Sequence, residues 1–501
     1  MKAEDLMDAI GDARDSYVHQ AQQRPRSRKK QGLAALAACL ALALGVGLLQ
    51  GGFGSGGGGQ GKDTYMYYAG PVLPLTVQGD SRGLCAERWV DFDFSPYHPV
   101  TKTYEMDGRS QSYQQFQSEI LVSDQYTISN KTDEDRTELF LYPWMGRLSE
   151  PQQAPSILVN GAEIAPTLLA GPYPPFMETE ARLPMGGFGD LELLLEGGRY
   201  QQRALAGHSI PELPVTVYWF TDAGILTGPD KAEPQITVEF SFDPAQTGIL
   251  SWGFNGLQRE KEHLRFENGS SRKHPQGGKI LSDACIVVMG QEPQDLTLKK
   301  WLVDRTGKHP VQEETEAFSC QMRKIETTME AVLDQVAETQ LRAWETRMEE
   351  PASARMPDAT VVAEAIYELV DAYGWSEQGK VSPGPLMLED LCTWGLENER
   401  ILYQQFAVTI PAHGSVTVEA VLPKEPSRDY TGTHRNLHGY ELAAQLDSNL
   451  CFTKQKASLS SAEQLQLVEQ NFGFDPEHGV WEVTLNPEIP RYWMKLAPPM
   501  Q

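Results

Sequence analysis

Basic charge is in short supply in this chain of 501 residues: 43 Lys and Arg face 68 Asp and Glu, for a net charge of −25. A polyanion is repelled by a phosphate backbone, which excludes nucleic acid as a partner. Thiols are few and scattered. The cysteines stand at 39, 85, 285, 320, 392 and 451 with no CxxC pair among them, so zinc knuckles and thioredoxin-type redox motifs are excluded. Leaving aside Cys39, the five others are an odd number spread over a long segment, and read as buried free thiols rather than a disulfide framework, with one or two bridges left open. After residue 63 no Gly-x-Ser-x-Gly pentad occurs, and the glycine patterns that cradle nucleotide phosphates are missing. No cofactor or metal ligand set is expected. Long apolar runs are also lacking, with one exception.

That exception is Gly32 to Leu49, eighteen uncharged residues preceded by the basic cluster Arg24, Arg26, Arg28, Lys29 and Lys30. As a helix the run is roughly 27 Å long, enough to span a bilayer's hydrocarbon core. Positive flanks stay in the cytoplasm, so residues 1–31 are expected inside and the rest outside the cell. The run is longer than a cleaved signal peptide's apolar region, and thirty-one residues precede it. Leu36-Ala-Ala-Cys39 spells a lipobox-like tetrad, yet ten apolar or small residues follow it, where a mature lipoprotein would turn polar. The expectation is an uncleaved signal anchor in the lipid bilayer. Residues 51–61, GGFGSGGGGQG, form a tether whose ends average about 18 Å apart. Such a tether transmits no torque.

Inside, Leu6, Ile10 and Tyr17 fall on one stripe of a short helix. A helix this short needs a partner or a membrane surface to be stable.

Outside, short β-type runs alternate with Pro- and Gly-rich turns. Ser118 to Ser129 and Thr137 to Tyr142 flank a polar turn and read as a hairpin, as do the halves of SILVNGAEI (156–164) about Asn160-Gly161. Val215 to Phe220, Gln235 to Phe242 and Lys279 to Met289 continue the strands. From Glu313 to Arg400 the texture turns helical. Phe318, Met322, Ile325, Met329, Val332 and Val336 fit one long helix face. A second helix is capped by Asp358 and carries Val362, Ile366, Leu369 and Tyr373, ending at Gly374. A third covers Leu386 to Ile401. Gln405 to Ile410 and Ser415 to Leu422 then form a further hairpin around Pro411-Ala-His-Gly414, and the last strand runs near Tyr492 to Leu496.

Candidate chemistry is sparse. His434 and His438 are four apart but lie between glycines, and no glutamate follows the first, so the zincin motif is not met. Asp91 with Asp93 and Glu389 with Asp390 are carboxylate pairs of the kind an acidic chain contains by chance. Trp89, Trp144, Tyr173 and Phe176 are candidates for a sugar-binding shelf, although core packing is the favoured reading.

The head MKAEDLMDAIGDARDSYV, with the basic patch and Ala-rich span behind it, resembles the N-terminus of a group of single-span membrane proteins of Gram-positive bacteria, some of them anti-sigma-factor-like. That resemblance implies that residues 1–31 dock on a cytoplasmic, sigma-factor-like regulator through Leu6, Ile10 and Tyr17. The pieces Tyr126 to Asp133, Leu141 to Pro143, Val159 to Gly161 and Ile410 to Val418 are similar to those of bacterial surface β-sandwiches. They imply a fold and carry no catalytic residues.

The expected organisation is a cytoplasmic segment (1–31), a transmembrane helix (32–49), a Gly-rich linker (50–63) and a mainly β, sandwich-like extracellular region in two parts (64–311 and 402–501) around a helical insertion (312–401). The function class expected is non-enzymatic envelope binding or sensing, with a surface glycan, peptide or protein as ligand. An extracellular glycan- or peptide-processing hydrolase is the alternative.

Overall fold

The computed structural model describes residues 65–498 apart from residues 107–108, 173–185, 208–209, 226–232, 270, 274–278, 304–309, 314–317, 346–356, 373–385, 433 and 463–464. The chain is mainly β and builds several sheets. The expected span at 32–49 lies outside the described residues, among which no helix is long and apolar enough to cross a membrane. Contacts divide the chain into two compact units. One is discontinuous, ending its first part at Gly207 and resuming at Glu399; the other, His208–Asn398, is inserted between those parts. The inserted unit holds strands as well as the helical segment.

In the discontinuous unit, strands Glu482–Thr484, Cys451–Ser460, Leu84–Asp93, Ile120–Asn130, Ser415–Lys424, Ser156–Val159 and Ala162–Ile164 form one sheet in that order. A second sheet runs Thr76–Val77, Arg136–Gly146, Arg400–Ile410, Thr167–Ala170, and a third Ser427–Arg428, His438–Ala443, Arg491–Ala497, Gln466–Gln470. Strict alternation on Ile120–Asn130 buries Ile120, Val122, Tyr126 and Ile128 and turns Leu121, Gln125 and Thr127 outward, the period-2 pattern of a half-buried strand. The three sheets contribute Val122, Phe140 and Met494 to a single core. Helices α1 (Phe188–Leu195) and α2 (Arg199–Ala206) pack Leu191 and Tyr200 into a cluster with Leu141, Ile401 and Tyr403.

Two of the expected hairpins do not form. Ile120–Asn130 and Arg136–Gly146 lie in different sheets, and so do Arg400–Ile410 and Ser415–Lys424. Turn residues show only that the chain reverses; a connection of several residues can equally step the roughly 10 Å between facing sheets. The two crossings support each other. Asn130 N–H donates to the Gly414 carbonyl (3.0 Å), His413 N–H to that of Thr132 (3.2 Å), and Ala412 N–H to Asp135 Oδ1 (2.8 Å). The third hairpin is observed. Asn160 and Gly161 adopt φ of 51° and 79° between paired strands Ser156–Val159 and Ala162–Ile164, the left-handed pair that a two-residue turn requires.

In the inserted unit a seven-stranded sheet is built around Pro214–Ile225, Ala284–Gly290 and Thr247–Trp252, and a five-stranded sheet around Glu233–Ser241. Tyr218, Phe220, Ile249, Ile286 and Val288 from the first sheet meet Val238, Phe240 and Phe266 from the second in one core. The other face of the seven-stranded sheet is buried too: every residue of Thr247–Trp252 is buried. Its sequence TGILSW, like ACIVVM in the neighbouring strand, accordingly shows no alternation of exposed polar residues. Among the described residues this unit holds three helices, α3 (Met329–Glu345), α4 (Ala359–Ala372) and α5 (Leu388–Glu397).

The long helix expected from Phe318 begins only at Met329. Residues Phe318–Thr328 are a strand paired along its length with Pro214–Ile225. The spacing of Phe318, Met322 and Ile325 mimics a helix face, but Met322 is 47% exposed and the β-branched Ile325, Thr327 and Thr328 suit a pleated surface. Thr328 Oγ1 then accepts Ala331 N–H (3.3 Å) and starts the helix. Asp358 does cap α4, its carboxylate accepting Thr360 N–H (2.9 Å), while Tyr373 and Gly374 lie outside the described residues. The third helix stops at Glu397, and Arg400 and Ile401, expected at its end, open a strand instead.

Candidate binding cavity in the inserted unit

Between the outer face of the seven-stranded sheet and α3 lies a cavity of about 60 Å³. Val217, Trp219, Cys285 and Ile325 form its floor, and Ala331, Val332 and Val336 its roof, with Leu388 from α5 at the side. The helix is held at this height by its N-terminus, where Met329 N–H donates to the Leu213 carbonyl (2.8 Å). Thr327, Trp252 and Gln335 complete the lining and bring polar atoms to a largely apolar space. Trp252 and Gln335 are the two whose donors matter. They are 3% and 8% exposed. Trp252 Nε1 and Gln335 Nε2 meet no acceptor among the described residues. A buried donor left unmatched costs about 1–3 kcal/mol, so an occupant that brings an acceptor oxygen recovers that energy.

Glu389 sits next to this cavity in the first turn of α5. Its Oε1 accepts Gly253 N–H (2.6 Å), while Oε2 is buried with no partner among the described residues. Burial pushes its carboxyl up to about 7, so near neutrality it changes between a donor and an anionic acceptor. Gly253 makes the contact possible. Its φ is +80°, and a Cβ there would stand 2.3 Å from the Asp283 carbonyl oxygen, so the position admits no side chain. The thiols of Cys285 and Cys392 are pushed up by burial and, secondly, by the Glu389 charge; both stay protonated and behave as small apolar groups.

No family model and no curated protein matches the chain. The cavity therefore has to be judged on its own chemistry. A largely apolar lining with two unmatched N–H donors fits the general plan of a small-ligand site. Its volume would hold on the order of four waters, the size of a short acyl or acylamino end group.

The residues singled out in the sequence are distributed elsewhere. Leu6, Ile10, Tyr17, Arg24, Arg26, Arg28, Lys29 and Lys30 lie outside the described residues. His434 and His438 share no helix face: the first stacks on Tyr65 with ring centres 4.4 Å apart, and the second opens a strand with its Nδ1 2.8 Å from Tyr97 Oη. Burial pushes His438 down to about 4. Among the described residues no group of three or more His, Cys, Asp and Glu is placed to hold a metal ion. Asp91 accepts hydrogen bonds from Ser458 and Ser460, and Asp93 from Ser95. Glu389 and Asp390 diverge, the second facing solvent. Trp89 is 44% exposed and Trp144 buried, on strands of different sheets, so they form no common shelf; Tyr173 and Phe176 lie outside the described residues.

A polar cleft in the discontinuous unit is smaller, about 30 Å³. There Arg147 pairs with Glu399 (3.0 Å), Tyr67 Oη donates to Glu425 (3.0 Å), and Lys424 donates to the Ala69 carbonyl. Its charges are largely answered within the cleft. Trp252, Gly253 and Gln335 were not legible as a site, because a tryptophan closing an apolar strand and a glutamine beside an apolar helix stripe are ordinary core features until the sheet and helix are placed together.

Proposed function

We propose that this chain is a membrane-anchored extracytoplasmic binding or sensing protein: a sandwich-type ectodomain on a glycine tether, whose inserted unit receives the ligand. The observation that carries the reading is the pair of unmatched buried donors, Trp252 Nε1–H and Gln335 Nε2–H, on a largely apolar cavity. The ligand class that fits is a glycan or peptide bearing a short acyl or acylamino group. Its methyl meets Val217, Val332 and Leu388, and its carbonyl oxygen accepts from the two donors. Anchoring rests on the basic cluster and the apolar run at 32–49, and the stripe of Leu6, Ile10 and Tyr17 is the part offered to a sigma-factor-like cytoplasmic regulator.

The test uses the full-length protein in detergent, titrated with N-acetylglucosamine, acetamide and glucosamine and followed by thermal shift and calorimetry. The two acetylated probes should stabilise the protein and glucosamine should not. Gln335→Leu, which removes one donor, should weaken binding about tenfold, as expected for one hydrogen bond of about 1.4 kcal/mol. Equal responses to N-acetylglucosamine and glucosamine, or a Gln335→Leu protein that binds as the wild type does, would overturn the assignment.

A further inference from the structure

The five cysteines beyond residue 63 separate into two kinds. Cys285, Cys320 and Cys392 belong to the inserted unit, and burial pushes each of their thiols up. Cys85 and Cys451 belong to the discontinuous unit and are direct register partners on adjacent parallel strands, Leu84–Asp93 and Cys451–Ser460. Neighbouring strands lie about 4.8 Å apart, inside the Cα separation of roughly 4.4–6.8 Å that a disulfide spans. Parallel partners point to the same face. Leu84 and Ala86, on either side of Cys85, are buried, whereas Glu87 and Trp89, which share its face by the period of two, are exposed; Cys85 is thus half-buried on the outer face, with Cys451 exposed beside it. Burial and, after it, the proximity of Cys451 push the Cys85 thiol up as well. Both are free thiols in this structure.

We infer that Cys85 and Cys451 are a redox pair that closes to a disulfide across the outer face of the sheet, joining the first long strand of the described chain to one of its last. The oxidant is a disulfide of the low-molecular-weight thiol class. The Cys451 thiolate attacks one sulfur of the oxidant, forming a mixed disulfide and releasing one thiolate. The Cys85 thiolate then attacks Cys451 Sγ, forming the internal bond and releasing the second thiolate. The oxidant gains the two electrons that the protein pair loses, and both cysteine protons pass to solvent or to the departing thiolates. Access favours Cys451 as the first nucleophile because it is the exposed member. The pair is defined by its geometry and stands independently of the cavity in the inserted unit. An oxidising compartment outside the membrane would keep it closed.

The experiment equilibrates the detergent-solubilised full-length protein in glutathione buffers from fully reduced to fully oxidised, then counts free thiols under denaturing conditions by maleimide mass-tagging. Of the six thiols in the chain, two should disappear under oxidation, and proteolytic fragments should be linked through Cys85 and Cys451. The oxidised protein should melt on the order of 5–10 °C above the reduced one. Cys85→Ser and Cys451→Ser should each keep five free thiols in the same buffer and melt where the reduced wild type melts, which shows that they are folded. Six free thiols in the oxidised wild type, a stable mixed disulfide without internal closure, or a bridge between other cysteines would overturn the inference.

Discussion

Asp124→Asn is the substitution that most directly tests how the discontinuous unit is held together. Asp124 and Arg88 are both completely inaccessible and are joined by two parallel bonds, Nε to Oδ1 at 2.9 Å and Nη2 to Oδ2 at 2.8 Å. The remaining capacity of the pair is used as well. Tyr126 and Tyr142 donate to Oδ2 at 2.7 and 3.2 Å, Arg88 Nη1 donates to the Ala443 carbonyl at 2.7 Å, and the guanidinium lies over the Tyr126 ring at 5.6 Å. An asparagine keeps the volume and an acceptor for the tyrosines, but leaves a buried guanidinium with no counter-charge and turns an N–H₂ toward it. Breaking one side of such a pair costs about 3–5 kcal/mol, a large share of the 5–15 kcal/mol typical of a folded domain. Adding Arg88→Met to the variant removes the stranded charge. The double variant should then be more stable than Asp124→Asn alone, even though the Ala443 carbonyl loses its donor at a cost of about 1–3 kcal/mol. Urea unfolding of the full-length protein, followed by hydrogen exchange on strands Leu84–Asp93 and Ile120–Asn130 with Ala284–Gly290 of the inserted unit as internal reference, measures the loss where it occurs. A cost below about 1 kcal/mol for Asp124→Asn, or strict additivity of the two substitutions, would refute the argument.

Burial raises the folded-state value of Glu389 to about 7 from 4.5, so between those values the folded protein holds a proton that the unfolded chain has released. Stability of the inserted unit should therefore fall as pH rises from about 4.5 to 7, by about 3 kcal/mol, and Glu389→Gln should flatten that slope; a slope unchanged in the variant's pH-dependent denaturation curves would assign it to other groups. Gly161 and Gly253 have nearly the same φ, +79° and +80°, but a Cβ on Gly161 meets nothing within 4 Å whereas one on Gly253 strikes backbone. Alanine should accordingly cost about 1–2 kcal/mol at 161 and markedly more at 253. Equal melting-temperature losses for the two variants would contradict the clash.

Strand content was legible wherever one face of a sheet is buried and the other wet, as in SEILVSDQYTIS, because alternation carries both the period and the burial. It was also legible at Asn160-Gly161, where only a left-handed turn suits the residues. Partnership between strands was not. The sequence around Asn130–Arg136 and Pro411–Gly414 encodes a reversal of the chain, and which sheet receives the next strand depends on pairings with residues hundreds of positions away. The segment Phe318–Thr328 misled for a related reason: its apolar residues fall at helical spacing, but its full-length pairing with Pro214–Ile225 decides the outcome. The cavity was invisible because the residues carrying its two unmatched donors, Trp252 and Gln335, are 83 positions apart and line one space only when α3 lies on the sheet.

The parallel pairing of Leu84–Asp93 with Cys451–Ser460 also sets a timetable for biogenesis. At synthesis rates of about 5–20 residues per second, roughly 20–70 s separate the emergence of the two strands. Throughout that interval one long edge of Leu84–Asp93, with its N–H and C=O groups in a row, waits without its neighbour, and Arg136–Gly146 likewise waits for Arg400–Ile410. The inserted unit, whose strands and helices all fall between those waiting edges, can finish folding first. A nascent chain of this design is most exposed to edge-to-edge association before its last fifty residues arrive, and a chaperone that shields strand edges would act in that window.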